Sequence, residues 1–324
     1  MQAEHKIAVG HFENPAVGLD KRAVSGQRCW YAGQLMQLSC MAQAQVAVQR
    51  QVRPDSPDWV GPVLAQLPGN PRQNQPAVAL YYLGHEMLTA PEDAERMVVF
   101  RDLLEKNIGK LPGDEARGLL MLAINHGIRR INEGDRPAIR STLDFYLLGL
   151  ESQVLQDERG VLSKYTYNNV LMTFLALSEW DSARDFLERY RGQLASGERE
   201  NVYRYNLAVF HFRQGAFDAT LELLRGVSFA DPMYNLESRK ILLKIYFEQE
   251  AVSALESLLE NMLTWLRRHG ELGYHREMYR NLAMFTGRLL RLLPGDVEAR
   301  KRLRKKVLDT PLVAERGWLL EKIG

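Results

Sequence analysis

Six cations crowd one stretch near the end of the chain, "RKRLRKKV": Arg300, Lys301, Arg302, Arg304, Lys305 and Lys306, with Leu303 among them and Val307 after. A helix carrying such a run could lie along phosphates, and six phosphate contacts would weaken binding about a thousandfold between about 50 and 200 mM salt. Asp296, just after Pro294–Gly295, supplies an N-cap, and Ala299, Leu303 and Val307 fall four apart as one thin apolar stripe. No aromatic residues are interleaved for base stacking and no nucleic-acid-binding motif accompanies the run. A solvated capping helix explains the same residues, as does a helix facing an acidic protein. The other reactive side chains offer less. The seven histidines include no HExxH spacing. His269 and His275, six apart, do not share a helix face, while His85, His126 and His211 lie in apolar helical patterns without acidic partners at ligand spacing. Cys29 and Cys40 are the only cysteines. On one helix they would stand about 16 Å apart, beyond disulfide reach, and Cys29 beside Trp30 reads as a buried, inert thiol. There is no GxxxxGK[ST], CxxC or GxSxG. No catalytic residue, metal or cofactor is expected.

The elements that would position these residues are helices. Hydrophobic residues make up 46% and charged residues 25% of the 324, ordinary for a folded water-soluble chain. No run approaches the roughly 18 apolar residues of a membrane span. "MQAEHKIAVGHFENP" has neither the apolar core nor the cleavage site of a secretory signal, so a reducing cytoplasm is expected. The net charge of +2 conceals an asymmetry: residues 265–324 hold 14 Lys or Arg against 7 Asp or Glu, a local +7, which leaves 2 − 7 = −5 for the rest. Residues 1–52 read as a loosely ordered arm followed by a long helix at 27–51. Residues 53–76 carry six of the 13 prolines and read as an extended linker. From 77 to 293 helix-period segments alternate with short breaks and no strand alternation is seen, while 294–324 forms the basic capping helix and a tail.

A repeat organises the middle. Asn169, Trp180–Asp181, Ala183 and Leu187 recur 37 residues on as Asn206, Phe217–Asp218, Thr220 and Leu224. The segment from Thr220 to Leu224 returns 34 residues later as Ala254–Leu258. A fixed period of this size means stacked helical hairpins, each burying its apolar face on its neighbours. The stretch from Asn201 to Pro232 resembles a tetratricopeptide repeat. Leu207 and Pro232 match the family's residues, Ala208 stands for its small glycine, Leu224 for its aromatic, and Gly215 lies in the turn. Arg204 replaces the usual tryptophan, His211 the tyrosine and Thr220 the alanine. The repeats at 164–190, with Ser178 at the turn, and at 235–261 match more loosely. The middle of the chain is also similar to tetratricopeptide-like proteins of Bacteroidetes-type bacteria that have no assigned function.

The resemblance implies an all-α, right-handed α-solenoid of stacked antiparallel helix pairs, whose first helices line a concave groove that receives peptides or partner helices. The family's groove-facing offsets fall on Tyr165, Asn168, Met172 and Leu175, then on Val202, Tyr205, Val209, Phe212 and Arg213. In the third repeat they fall on Leu236, Arg239, Leu243, Tyr246 and Phe247. Aromatics with arginine are enriched at binding hot spots. Packing of the same residues into a core, or filling of the groove by the chain's own linker, competes with partner binding. The basic carboxylate clamp of chaperone-binding members is absent. The expected function is a non-enzymatic scaffold holding a protein or peptide in the groove, with no membrane contact. Tyr205, Phe212, Arg213, Arg239 and Tyr246 are its preferred contacts. The alternatives are a nucleic-acid-associated or regulatory protein using the basic helix, and a peptide-responsive sensor.

Overall fold

The computed structural model describes residues 76–89, 94–227, 229–293 and 295–324. The arm, the helix expected at 27–51, the linker through 75 and both cysteines lie outside the described residues. Regular structure in the described residues is helical throughout, as expected for an all-α chain, with one isolated bridge between Gln156 and Leu162. Two compact units meet in sequence at Glu179 and Trp180, inside the span expected to form one repeat domain.

The first unit contains α1 (Pro76–Thr89), α2 (Ala94–Asn107) ending in a 3₁₀ turn, α3 (Gly113–Asn132), α4 (Pro137–Glu151) and α5 (Lys164–Ala176). Local chemistry sets the ends. Asp114 and Glu115 sit in the first turn of α3 and Arg129 and Arg130 in its last, as the helix dipole favours. Pro137 opens α4, and the Ser163 hydroxyl accepts hydrogen bonds from the Tyr165 and Thr166 amides at the start of α5. The core is a close fit between α3 and α4. Leu119, Leu120, Ala123 and Ile124 of α3 and Leu143, Phe145 and Tyr146 of α4 are buried, each large side chain contributing about 1.5–3 kcal/mol. Two glycines permit the approach: a Cβ on Gly127 would stand 2.1 Å from Thr142 Oγ1, and one on Gly149 2.3 Å from Leu120 Cδ2. After α4 the chain is fastened by Arg117, whose guanidinium donates to the Val154, Leu155 and Gln156 carbonyls at 3.1, 3.0 and 2.8 Å.

The second unit holds α6 (Trp180–Arg191), α7 (Arg199–Arg213), α8 (Phe217–Arg225), α9 (Pro232–Glu248), α10 (Val252–Arg268), α11 (Tyr274–Leu290), α12 (Val297–Asp309) and α13 (Arg316–Ile323). α7 packs on α8 through the small positions of the repeat: Ala208 and Thr220 are fully buried, and Thr220 donates to the Ala216 carbonyl at 2.9 Å. Asp231 and Asp296 cap α9 and α12, the second as expected. One apolar cluster runs from Leu236 and Leu243 of α9 through α10 and α11 to Leu303, Val307, Leu319 and Ile323.

Three of the helix-ending turns share one closure. Ser178, Gly215 and Glu250 all adopt positive φ, at 60°, 77° and 53°. In each turn the next amide reaches back five residues: Glu179 to Phe174, Ala216 to His211 and Ala251 to Tyr246. This is the Schellman closure, which requires a left-handed residue and favours glycine. Only one of the three is glycine, which is why the other two turns are hard to see in the sequence. α13 is a difference from expectation, because only a tail is expected after the basic helix within 294–324. It is eight residues long and owes its helix to packing rather than propensity.

Candidate helix-receiving surface

The residues expected to line a groove divide by exposure. On α5, Tyr165 is 56% and Met172 37% exposed, with Asn168 half-buried between them on the same face. Arg213 is exposed, and Phe212 is half-buried and stacked on Phe217 across the turn, ring centres 6.0 Å apart. Others are corrected to core. Tyr205 and Val209 are 4% and 6% exposed, and Val202, Leu175, Leu236 and Leu243 are buried as well. Tyr205 meets the rings of Phe229 and Tyr234 edge-on at 5.8 and 5.0 Å, so its contacts are spent inside the protein. Burial, with the Glu237 carboxylate as a lesser cause, pushes its hydroxyl well above the usual tyrosine range. Arg239 turns toward α10, its guanidinium 4.6 Å from the Trp265 ring centre and its Nη1 buried without a hydrogen bond. Tyr246 and Phe247 are half-buried against the apolar cluster.

On α9 the family offsets meet the stripe that receives α13 only at Phe247, and the other four fall about one residue away, 100° on a helix. That stripe carries Glu237, Lys240, Lys244, Phe247 and Glu248, and the chain's own C-terminal segment lies on it. Glu315 adopts a left-handed backbone at φ 53° just before α13 and places its carboxylate between Lys240, at 3.3 Å, and Lys244. Lys240 also pairs with Glu237 at 2.5 Å, and Glu237 accepts a hydrogen bond from the Tyr279 hydroxyl of α11. Phe247 meets the Trp318 ring edge-on at 5.2 Å, and Glu248 pairs with Lys322 at 2.8 Å. The approach to α13 is tied to α11 by the Ala314 amide on the Met278 carbonyl at 3.2 Å and by Asn281 on the Leu312 carbonyl at 2.8 Å. Electrostatics follow from this cage. Burial opposes the charge on Lys240, yet Glu237 and Glu315 raise its pKa above the ordinary lysine value. Burial likewise opposes the Glu315 charge, but the two lysines hold its carboxyl below the ordinary range.

The basic helix is partly committed. Arg300 donates to the Ile323 carbonyl at 2.9 Å and Arg304 to Leu320 at 3.1 Å, so both close the carbonyl end of α13. Lys301 pairs with Glu298 at 3.1 Å. Arg302, Lys305 and Lys306 remain exposed on α12. Among the described residues no group of His, Cys, Asp and Glu could hold a metal ion, and no helix is long and apolar enough to cross a membrane. No family model matches the chain, and comparisons with curated proteins and with solved structures return no match.

Sequence reasoning missed Glu315, Trp318 and Lys322 and their receivers Lys240, Lys244 and Glu248. A signal existed: Glu315, Trp318 and Lys322 fall at helical spacing, and Leu319 and Ile323 mark a second, apolar face.

Proposed function

We propose that this chain is a non-enzymatic interaction scaffold, a tetratricopeptide-like solenoid of helix pairs working in the cytoplasm, that binds a protein or peptide along the first helices of its pairs. What supports this reading is α13. The first helices α9 and α11, together with α12, already receive a short helix through one aromatic anchor, matched charges and the apolar contacts of Leu319 and Ile323, the chemistry of helix-in-groove recognition. On α5 an exposed aromatic and methionine share a face, the composition of a binding anchor. Phosphate binding by α12 has weaker support, since Arg300 and Arg304 are engaged on carbonyls and Lys301 on Glu298.

The test is recovery of partners from a nuclease-treated host lysate at about 200 mM salt, where long-range charge attraction is screened. The baits are the intact chain and Tyr165→Ala/Met172→Ala, both exposed sites, with native circular dichroism of the variant as the control. A defined protein held by the intact chain and lost by the variant is expected. The same proteins on both baits would contradict the assignment of α5.

A further inference from the structure

α13 cannot hold its own shape. Its eight residues fall short of the ~12–15 that an isolated helix needs in water, so it is a helix only while docked. Leu319 and Ile323 are buried in the apolar cluster with Leu303 and Val307 of α12, and three points on α9 set the register of the docking. Lys240 and Lys244 take the Glu315 carboxylate, Phe247 takes the Trp318 ring, and Glu248 takes the Lys322 ammonium. The two stripes advance in the same direction, base–aromatic–acid on α9 against acid–aromatic–base on the C-terminal segment. Lys244 also stands 5.6 Å from the Trp318 ring centre, and the Trp318 Nε1 donates to Glu248 at 3.5 Å. Opposite charges at the two ends impose a direction, since a reversed helix would set its carboxylate on Glu248. The left-handed backbone of Glu315 is strain that docking sustains and release would relieve.

We propose that α13 is a resident ligand of the α9 stripe, and that the scaffold's partner is a helix with the same acid–aromatic–base pattern, which must displace α13 to bind. This rests on the scaffold reading and adds the partner's chemistry and its regulation. Release melts α13, so the device is an order–disorder latch that lowers partner affinity until a matching helix competes.

The experiment uses a fluorescent peptide copying residues 311–324, added to the full-length chain. The native chain should bind it weakly, because a tethered copy fills the site at high effective concentration. Glu315→Lys sets like charge against Lys240 and Lys244 and leaves the receiving stripe intact. That variant should bind the peptide at least about tenfold more tightly than the native chain, and Glu315→Lys/Glu248→Lys should lose the gain. A Glu315→Lys chain with native circular dichroism and no gain overturns the proposal, as does a double variant that binds as tightly as the single. Amide hydrogen exchange on the unaltered chain decides the matter even if the variants misfold. Residues 316–324 should exchange through a local opening, faster than α11, and protection equal to that of α11 overturns the latch. A lysate partner recovered equally by native and Glu315→Lys chains refutes the latch and keeps the scaffold. Peptide binding as predicted, with no lysate partner, keeps the latch and removes the scaffold reading.

Discussion

Two sites, one in each unit, bury a titratable group in opposite ways. In the first, His126 of α3 is 3% exposed, with Nδ1 3.2 Å from the Arg129 guanidinium and Nε2 unpartnered. Burial, reinforced by Arg129 and Arg130, depresses its pKa to about 4, so the ring is neutral and is held by packing and the one contact to Arg129. In the second, Glu315 and Lys240 are charged inside a cage of opposite charges, and position is set by pairing. The difference teaches which contacts can come apart. An apolar seam closed over glycines loses dispersion and burial as soon as it opens. A docking registered by charge can be exchanged for another segment that presents the same charges and an apolar face like that of Leu319 and Ile323. A close-packed unit is suited to be scaffold, and a charge-latched face to be a site.

The comparison breaks most visibly at Phe145, fully buried in α4 and 6.1 Å from the Phe100 ring. Phe145→Ala should cost about 4 kcal/mol in urea unfolding of the first unit, and a loss under about 1 kcal/mol would mean that the seam is loosely packed. Acid comes next. The folded pKa of His126 lies below its unfolded value of 6.5, so the stability it contributes is complete above that value and is lost as pH falls toward about 4. Between pH 7 and 5 the loss should be about 2 kcal/mol, absent in His126→Leu. The second unit should respond in a different window. Glu315 has a folded pKa below 4.5, so docking of α13 should hold until pH drops through that value. Lys240 has a folded pKa above 10.5 and loses its contribution only at higher pH than that. Hydrogen exchange of residues 316–324 across pH checks both limits, and loosening already at pH 6 would contradict the pairing with Lys240 and Lys244. The smallest effect should ignore the division. Ser178→Gly and Glu250→Gly relieve the same left-handed turn and should each stabilise by about 0.5–1 kcal/mol in thermal unfolding.

Helix content, the small pair Ala208 and Thr220 and the Asp296 cap were legible because periodicity, close approach and capping leave local marks. The groove register was not. Tyr205 and Val209 face inward because one residue of offset rotates a helix by 100°, and no single sequence pins that rotation. α13 carried only the spacing of Glu315, Trp318 and Lys322, a faint mark because so short a helix is stabilised by tertiary contacts. Its partners Lys240, Lys244 and Glu248 lie some 70 residues away in sequence. The burial of Arg239 against Trp265 was equally invisible, since an arginine among aromatics fits a surface hot spot and a cation–π packing alike.

Partners are expected along the first helices and not on the basic helix. A photo-cross-linking amino acid placed at Met172, and separately at Lys305, tests it within the host cell. The account predicts a discrete protein adduct from Met172 and none from Lys305. Adducts from Lys305 alone, removed by nuclease, would contradict it and move the function to α12.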